Sequence, residues 1–233
     1  MNSSSTPEQG HYKGWRGIKR AFSTPSAFTL FCLGLGSGLP FLLVGGMTLS
    51  TWLRDVGFEL SVIGLISFVG FFYVLKFLWA PLIDKYSLPF LGRRKGWLVV
   101  SQILLIAALI SIALIGPESS LGAFIVLVGI AAFAGATLDT VVDAYRIEIA
   151  PPEFQAALAA TYILGYRIAL ILSGAIALYL AEIWGWRTAY LIMALFLVIP
   201  LIASIVSREP DTQQALAVRD VHIVDAFIKP FQE

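Results

Sequence analysis

Four charged residues stand inside runs of otherwise lipid-like side chains. They are Lys76 in FFYVLKFLWAPLID, Asp139 and Asp143 in GATLDTVVDAYRIEI, and Arg167 in LGYRIALILSG. Asp139 and Asp143 are four residues apart and would share one face of a helix. Two carboxylates on one face oppose each other's ionisation, which suits taking up and releasing a proton. The plainer alternative for Asp143 is an ion pair with Arg146 or Arg167. Arg167 has two open readings, a structural pair with one of the aspartates or an anchor for an anionic substrate, which a guanidinium grips bidentately. Lys76 either snorkels to the membrane surface or faces a polar cavity. An intramembrane enzyme would need a nucleophile beside a base, or a metal site. Both histidines, His11 and His222, fall in the polar ends, and the single cysteine, Cys32, lies in an apolar run. No catalytic residue, metal, cofactor or nucleic-acid partner is expected.

The elements that carry these charges must cross a membrane. The 233 residues are 58% hydrophobic and 13% charged, against about 25% charged in soluble domains. Six apolar stretches, roughly 28–50, 61–82, 97–115, 121–144, 157–181 and 188–206, each approach the ~20 residues a helix needs to span hydrocarbon. An all-α integral membrane protein is predicted, because only helices and closed barrels satisfy the backbone in lipid. Residues 1–27 read as a tail and 207–233 as the start of a central loop. Of the sixteen basic residues, twelve fall on one side (Lys13, Arg16, Lys19, Arg20, Lys85, Arg93, Arg94, Lys95, Arg146, Arg208, Arg219 and Lys229) and two, Arg54 and Arg187, on the other. The excess of Lys and Arg on cytoplasmic loops places both termini in the cytoplasm. The second and fourth stretches then run the same way, and Lys76 and Asp139 come to similar depth, each about six residues before its cytoplasmic end.

The loop after the second stretch reads APLIDKYSLPFLGRRKGW. Its plain role is to fix topology by positive charge. It also resembles the G-x-x-x-D-R/K-x-G-R-R loop of major facilitator transporters, as Asp84-Lys85, an insert, then Gly92-Arg93-Arg94-Lys95, with Ala80 in place of the leading Gly. In the first stretch, Gly34, Gly36 and Gly38 permit close helix packing, and Pro40 permits a kink.

The blocks SGLP, KFLWAPLIDKY, FLGRRKGW, LDTVVDAYR, LGYR, LSGAIAL and WGWRTAYLIMA together resemble the N-terminal half of AmpG-type muropeptide permeases of the major facilitator superfamily. The likeness runs from about residue 28 to 210. It implies six helices built as a 3+3 inverted repeat, forming one half of a two-half carrier of the bacterial inner membrane. The carrier would be driven by protons and would import N-acetylglucosaminyl-1,6-anhydro-N-acetylmuramyl peptides for wall recycling and β-lactamase induction signalling. Lys76, Asp139, Asp143 and Arg167 match positions of the family's charged cavity, and Asp84 to Lys95 match its gating loop. The expected partners are the lipid bilayer and a second six-helix half, the chain reading as truncated or split. Another cargo such as acetyl-CoA, or a non-functional remnant, is the alternative.

Overall fold

The computed structural model describes residues 24–88, 91–149 and 152–210. The tail residues Lys13, Arg16, Lys19 and Arg20 lie outside the described residues, as do Arg219, Lys229, His11 and His222. The chain forms α1 Pro25–Val44, α2 Met47–Asp55, α3 Leu60–Ser67, α4 Phe71–Leu75, α5 Ala80–Lys85, α6 Arg93–Ser119, α7 Leu121–Glu148, α8 Pro152–Ile171, α9 Ala177–Phe196 and α10 Val198–Val206. Among the described residues there is no strand beyond one isolated bridge, Leu88 to Gly92.

Among the described residues, five apolar helical stretches are long enough to cross a membrane, the last being Phe154–Val206. At ~1.5 Å per residue its 53 residues would reach about 80 Å, far more than the ~30 Å of a hydrocarbon core. The chain reverses instead at Gly185, whose φ of 80° only glycine adopts easily. The contacts show the reversal. On the way out, Tyr162 and Tyr166 lie against Gly34 and Gly38 of α1, and the Thr48 hydroxyl donates to the Ser173 carbonyl. On the way back, Trp186 donates to Asp55, Tyr190 to the Leu43 carbonyl, and Pro200 rests on Gly36. Gly116 (φ 64°), followed by Pro117, makes the matching turn before α7, and the Ser120 hydroxyl caps that helix at Ala123 N.

One end of the bundle is therefore aromatic. Trp52 stacks on Trp186 and packs against Phe124 and Tyr190. The other end carries the loop with Arg93, Arg94 and Lys95. We call them the aromatic and basic ends.

The tightest seam joins α1 to α8. A Cβ on Gly34 would overlap the Tyr162 carbonyl, one on Gly165 would overlap the Phe31 carbonyl, and one on Gly38 would lie 2.6 Å from the Tyr166 carbonyl. The two backbones touch, as small residues four apart permit. Pro40 sits buried inside α1, while the helix is interrupted five residues later at Gly45–Gly46.

The stretch read from sequence as one helix over 61–82 is broken. Turns of 3-10 helix occupy Phe68–Gly70 and Lys76–Leu78. Pro81 has no N–H to give the Phe77 carbonyl, so α5 starts afresh there. Lys76 thus projects from a tightened turn rather than from a regular helix.

Gly165→Ala should destabilise the protein by about 1–3 kcal/mol through overpacking of the seam. Gly129→Ala, where an added Cβ meets nothing within 4 Å, should be neutral or stabilising by up to ~1 kcal/mol. Thermal unfolding in detergent separates the two, and equal behaviour would refute the seam.

Candidate functional site

Lys76 and Asp139 meet across the α4–α5 connection and α7. The Lys76 ammonium donates to Asp139 Oδ2 at 2.5 Å and lies 3.6 Å from Asp143. Asp143, with 44% of its side chain exposed, also pairs with Arg146 at 3.7 Å, one turn on. The Tyr162 hydroxyl of α8 donates to Asp139 Oδ1 at 3.0 Å, so both oxygens of this carboxylate are held. The Arg146 guanidinium covers the Tyr162 ring. The equal depth expected for Lys76 and Asp139 is what the fold delivers, and Lys76 ends on carboxylates rather than at the surface.

The four charges of Lys76, Arg146, Asp139 and Asp143 cancel. That balance is physically required, since an unpaired charge at membrane depth costs ~2.5–3.5 kcal/mol on insertion scales. Arg167 is outside the balance. It makes no ion pair among the described residues, and its side chain is exposed. The structural pairing of Arg167 with Asp139 or Asp143 considered from sequence is not formed, because Lys76 and Tyr162 already occupy Asp139. Arg167 also lies two residues past Gly165, about 200° round the helix from the α1 seam.

Tyr162, the residue that sequence reading missed, follows Thr161 and precedes Tyr166 on the same face. Two aromatic hydroxyls four apart in an apolar run were the available signal. Trp79 packs on Phe133 and donates to Thr137 Oγ1 at 3.1 Å.

The basic end forms a second cluster. Arg94, 5% exposed, binds Glu148 at 2.6 Å and Asp84 at 2.6 Å. Arg93 binds Glu148 at 2.8 Å, and the Lys85 ammonium lies over the Tyr86 ring. The start of α6 is capped from far along the chain. Glu209 accepts from Arg94 N at 2.7 Å and Lys95 N at 2.9 Å, two of the N–H groups a helix start leaves unpaired. Gly92, with φ of 88°, lets this carboxylate in, since a Cβ there would lie 2.7 Å from the Glu209 carboxyl carbon. The Lys95 ammonium donates to the Ile205 carbonyl, and the Tyr145 hydroxyl donates to the Arg208 carbonyl. Of the loop residues expected from sequence, Asp84, Gly92, Arg93, Arg94 and Lys95 come together here, joined by Glu148, Tyr145 and Glu209, which that reading did not pick out, while Lys85 lies apart on Tyr86.

A family model described as Major Facilitator Superfamily matches residues 22–230. The chain belongs to the major facilitator superfamily. Over 192 residues it is 42% identical to the anhydromuropeptide permease of Escherichia coli (strain K12), covering 82% of this chain and 39% of that protein. Over 199 residues it is 36% identical to a transporter named AmpG 4 from Rickettsia conorii, covering 83% of this chain and 48% of that protein. A Rickettsia felis protein of the same name is 34% identical over 223 residues, 93% of this chain and 54% of that protein. The chain therefore spans about two-fifths to half the length of these relatives. It is an all-α membrane half of a major facilitator transporter, and its kinship is with the AmpG group.

In this major facilitator half, Lys76→Met should lower stability by about 1–3 kcal/mol, because it strands Asp139 with one donor. Asp139→Leu should cost a similar amount, and the double variant should recover part of the sum, since replacing both partners removes the stranded charge. Strict additivity in detergent melts would deny the pair. In the same melts, Glu209→Ala should cost about 1 kcal/mol as a lost helix cap, against no change if the cap is idle.

Proposed function

We propose that this chain is the N-terminal half of a proton-driven importer of anhydromuropeptides, N-acetylglucosaminyl-1,6-anhydro-N-acetylmuramyl peptides. The observation that carries the proposal is the Lys76–Asp139 pair, held at mid-bundle beside Asp143. Protonation of Asp139 removes the charge that holds Lys76, so one proton can exchange for a rearranged ion pair. Arg167 supplies the surplus cation, suited to a lactyl or peptide carboxylate of the cargo. The 42% identity to the Escherichia coli anhydromuropeptide permease supports the cargo.

On this reading the six apolar stretches each cross the bacterial inner membrane, both termini are cytoplasmic, and the basic end is the cytoplasmic end. A second six-helix half completes the cavity, as the substrates of such carriers bind between repeats. The Arg94–Asp84–Glu148 cluster then acts as a latch on the cytoplasmic side, opened and closed against that second half. The imported fragments would feed wall recycling and β-lactamase induction.

The test is accumulation of labelled anhydromuropeptide by cells carrying the complete locus, with and without a proton ionophore. Uptake should collapse with the ionophore. Asp139→Asn and Asp143→Asn should each abolish it while leaving protein in the membrane. Arg167→Ala should raise KM about tenfold or more, the loss of a charged hydrogen-bonded contact. Ionophore-insensitive uptake, or full uptake by both aspartate variants, refutes the proposal.

A further inference from the structure

Among the described residues, two buried hydroxyls beside the ion pair lack a well-formed hydrogen bond: Tyr73 OH of α4, and Ser37 Oγ of α1, whose polar neighbour is the Tyr162 hydroxyl. Ser37 is 1% exposed and sits beside Tyr162, one turn beyond Gly34, whose Cα abuts the Tyr162 carbonyl. The Tyr73 ring is fixed edge-on by Phe41. Its hydroxyl lies over Gly135, where a Cβ would overlap it, with the Pro40 ring 3.4 Å from the same point. It is within electrostatic reach of Asp139, Tyr162 and Tyr166.

The positions form a second rung above the first. Tyr73 precedes Lys76 by three residues, and Gly135 precedes Asp139 by four. Both elements run from the aromatic to the basic end, so Tyr73 and Gly135 stand about 4.5–6 Å nearer the aromatic end than Lys76 and Asp139. α1 runs the opposite way, and Ser37 beyond Gly34 is displaced in the same direction.

A buried hydroxyl without a partner costs about 1–3 kcal/mol, and natural proteins relieve such groups with water that has two to four polar neighbours. Gly135, without a side chain, admits the Tyr73 hydroxyl. We propose that Ser37 and Tyr73 hold water that passes protons from the aromatic end to Asp139. The inference rests on the reading of Asp139 as the proton carrier. The step balances without a co-reactant. A proton arriving from the aromatic end joins the tyrosine oxygen as that oxygen gives its own proton to the held water. The water in turn gives one to Asp139 Oδ1, which keeps a lone pair for the bond donated by Tyr162. Tyrosine and water end as they began, Asp139 becomes neutral, and the aromatic end has supplied one proton. The groups facing Asp139 during this step are Lys76 and Tyr73, Asp143 with Arg146 behind it on α7, and Tyr162 and Tyr166 on α8. α1 contributes the Ser37 hydroxyl.

The test needs no cargo. The complete transporter in proteoliposomes is given an acid jump, and the carboxylic-acid C=O band that disappears in Asp139→Asn is followed by time-resolved infrared spectroscopy. The Tyr73→Phe/Ser37→Ala double variant should show that band rising about tenfold more slowly than wild type, to the same final amplitude. Gly135→Ala, which displaces the Tyr73 hydroxyl while leaving Asp139 intact, should slow it likewise. An unchanged rate in the double variant overturns the relay and leaves Asp139 as carrier. A reduced amplitude marks the hydroxyls as structural and also overturns it. Wild type with no Asp139-dependent band removes the carrier reading, and the relay falls with it.

Discussion

An ammonium and a carboxylate stay at membrane depth only in each other's company. The 2.5 Å contact of Lys76 with Asp139 is therefore the condition under which two broken or tightly packed elements can lie where they do. Either charge alone would be driven to neutralise or to reach water. Together they fix the rotation of α7 and hold the 3-10 turn at Lys76–Leu78 in place. Asp143 and Arg146 extend the pair to a neutral quartet. Such pairs are rarely stabilising compared with apolar isosteres, and their usual worth is that they can be switched. A proton on Asp139 is the smallest event that would switch this one.

The pair also needs a third element, and the glycine seam provides it. Tyr162 reaches Asp139 because α8 lies against α1 with no side chain between Gly34, Gly38 and Gly165 and the opposing backbone. One added methyl at Gly165 would push α8 outward and draw the hydroxyl from Oδ1. Lipid offers no hydrophobic force between helices, so close backbone packing of this kind stands in for it. The same seam sets Ser37 beside Tyr162.

How much of this could be read from the residues follows from what periodicity carries. Hydropathy and Lys/Arg placement contain membrane-length helices, and counting residues from span ends contains the shared depth of Lys76 and Asp139, because both depend only on rise per residue. The turn near residue 185 was legible as the short polar EIWGWR between two apolar runs, and Gly185 is where the chain reverses. Helix rotation was not legible. Whether Arg167 or Lys76 would face Asp139 depends on which side of α8 meets α1, and that is set by contacts between Gly165 and Phe31, far apart in sequence. Glu209 was further out of reach. Its partners are backbone N–H groups of Arg94 and Lys95, which any sequence would offer, and the admission of its carboxylate depends on φ at Gly92. The breaks around Lys76 arise from Pro81 and from packing, and a smooth apolar run hides both.

α7 joins the two charged clusters. Asp139 and Glu148 are nine residues apart on one helix without an internal break, about 13 Å along its axis. Lys76 and Tyr162 thus hold the same continuous helix whose end Arg93 and Arg94 grip at Glu148. Arg94 in turn holds Asp84, at the end of the very stretch that carries Lys76. The α4–α5 segment and α7 are thus tied twice, at mid-bundle through Lys76–Asp139 and at the basic end through Asp84–Arg94–Glu148. Releasing one tie leaves a hinge about the other, and releasing neither leaves the segments locked. The lower tie contains only permanently charged arginines and carboxylates already engaged by them. The upper tie, on the proposed function, has a carboxylate that a proton can neutralise. On the proposed function, the upper tie is the one that loosens with the proton, and the lower tie is the pivot about which it does so.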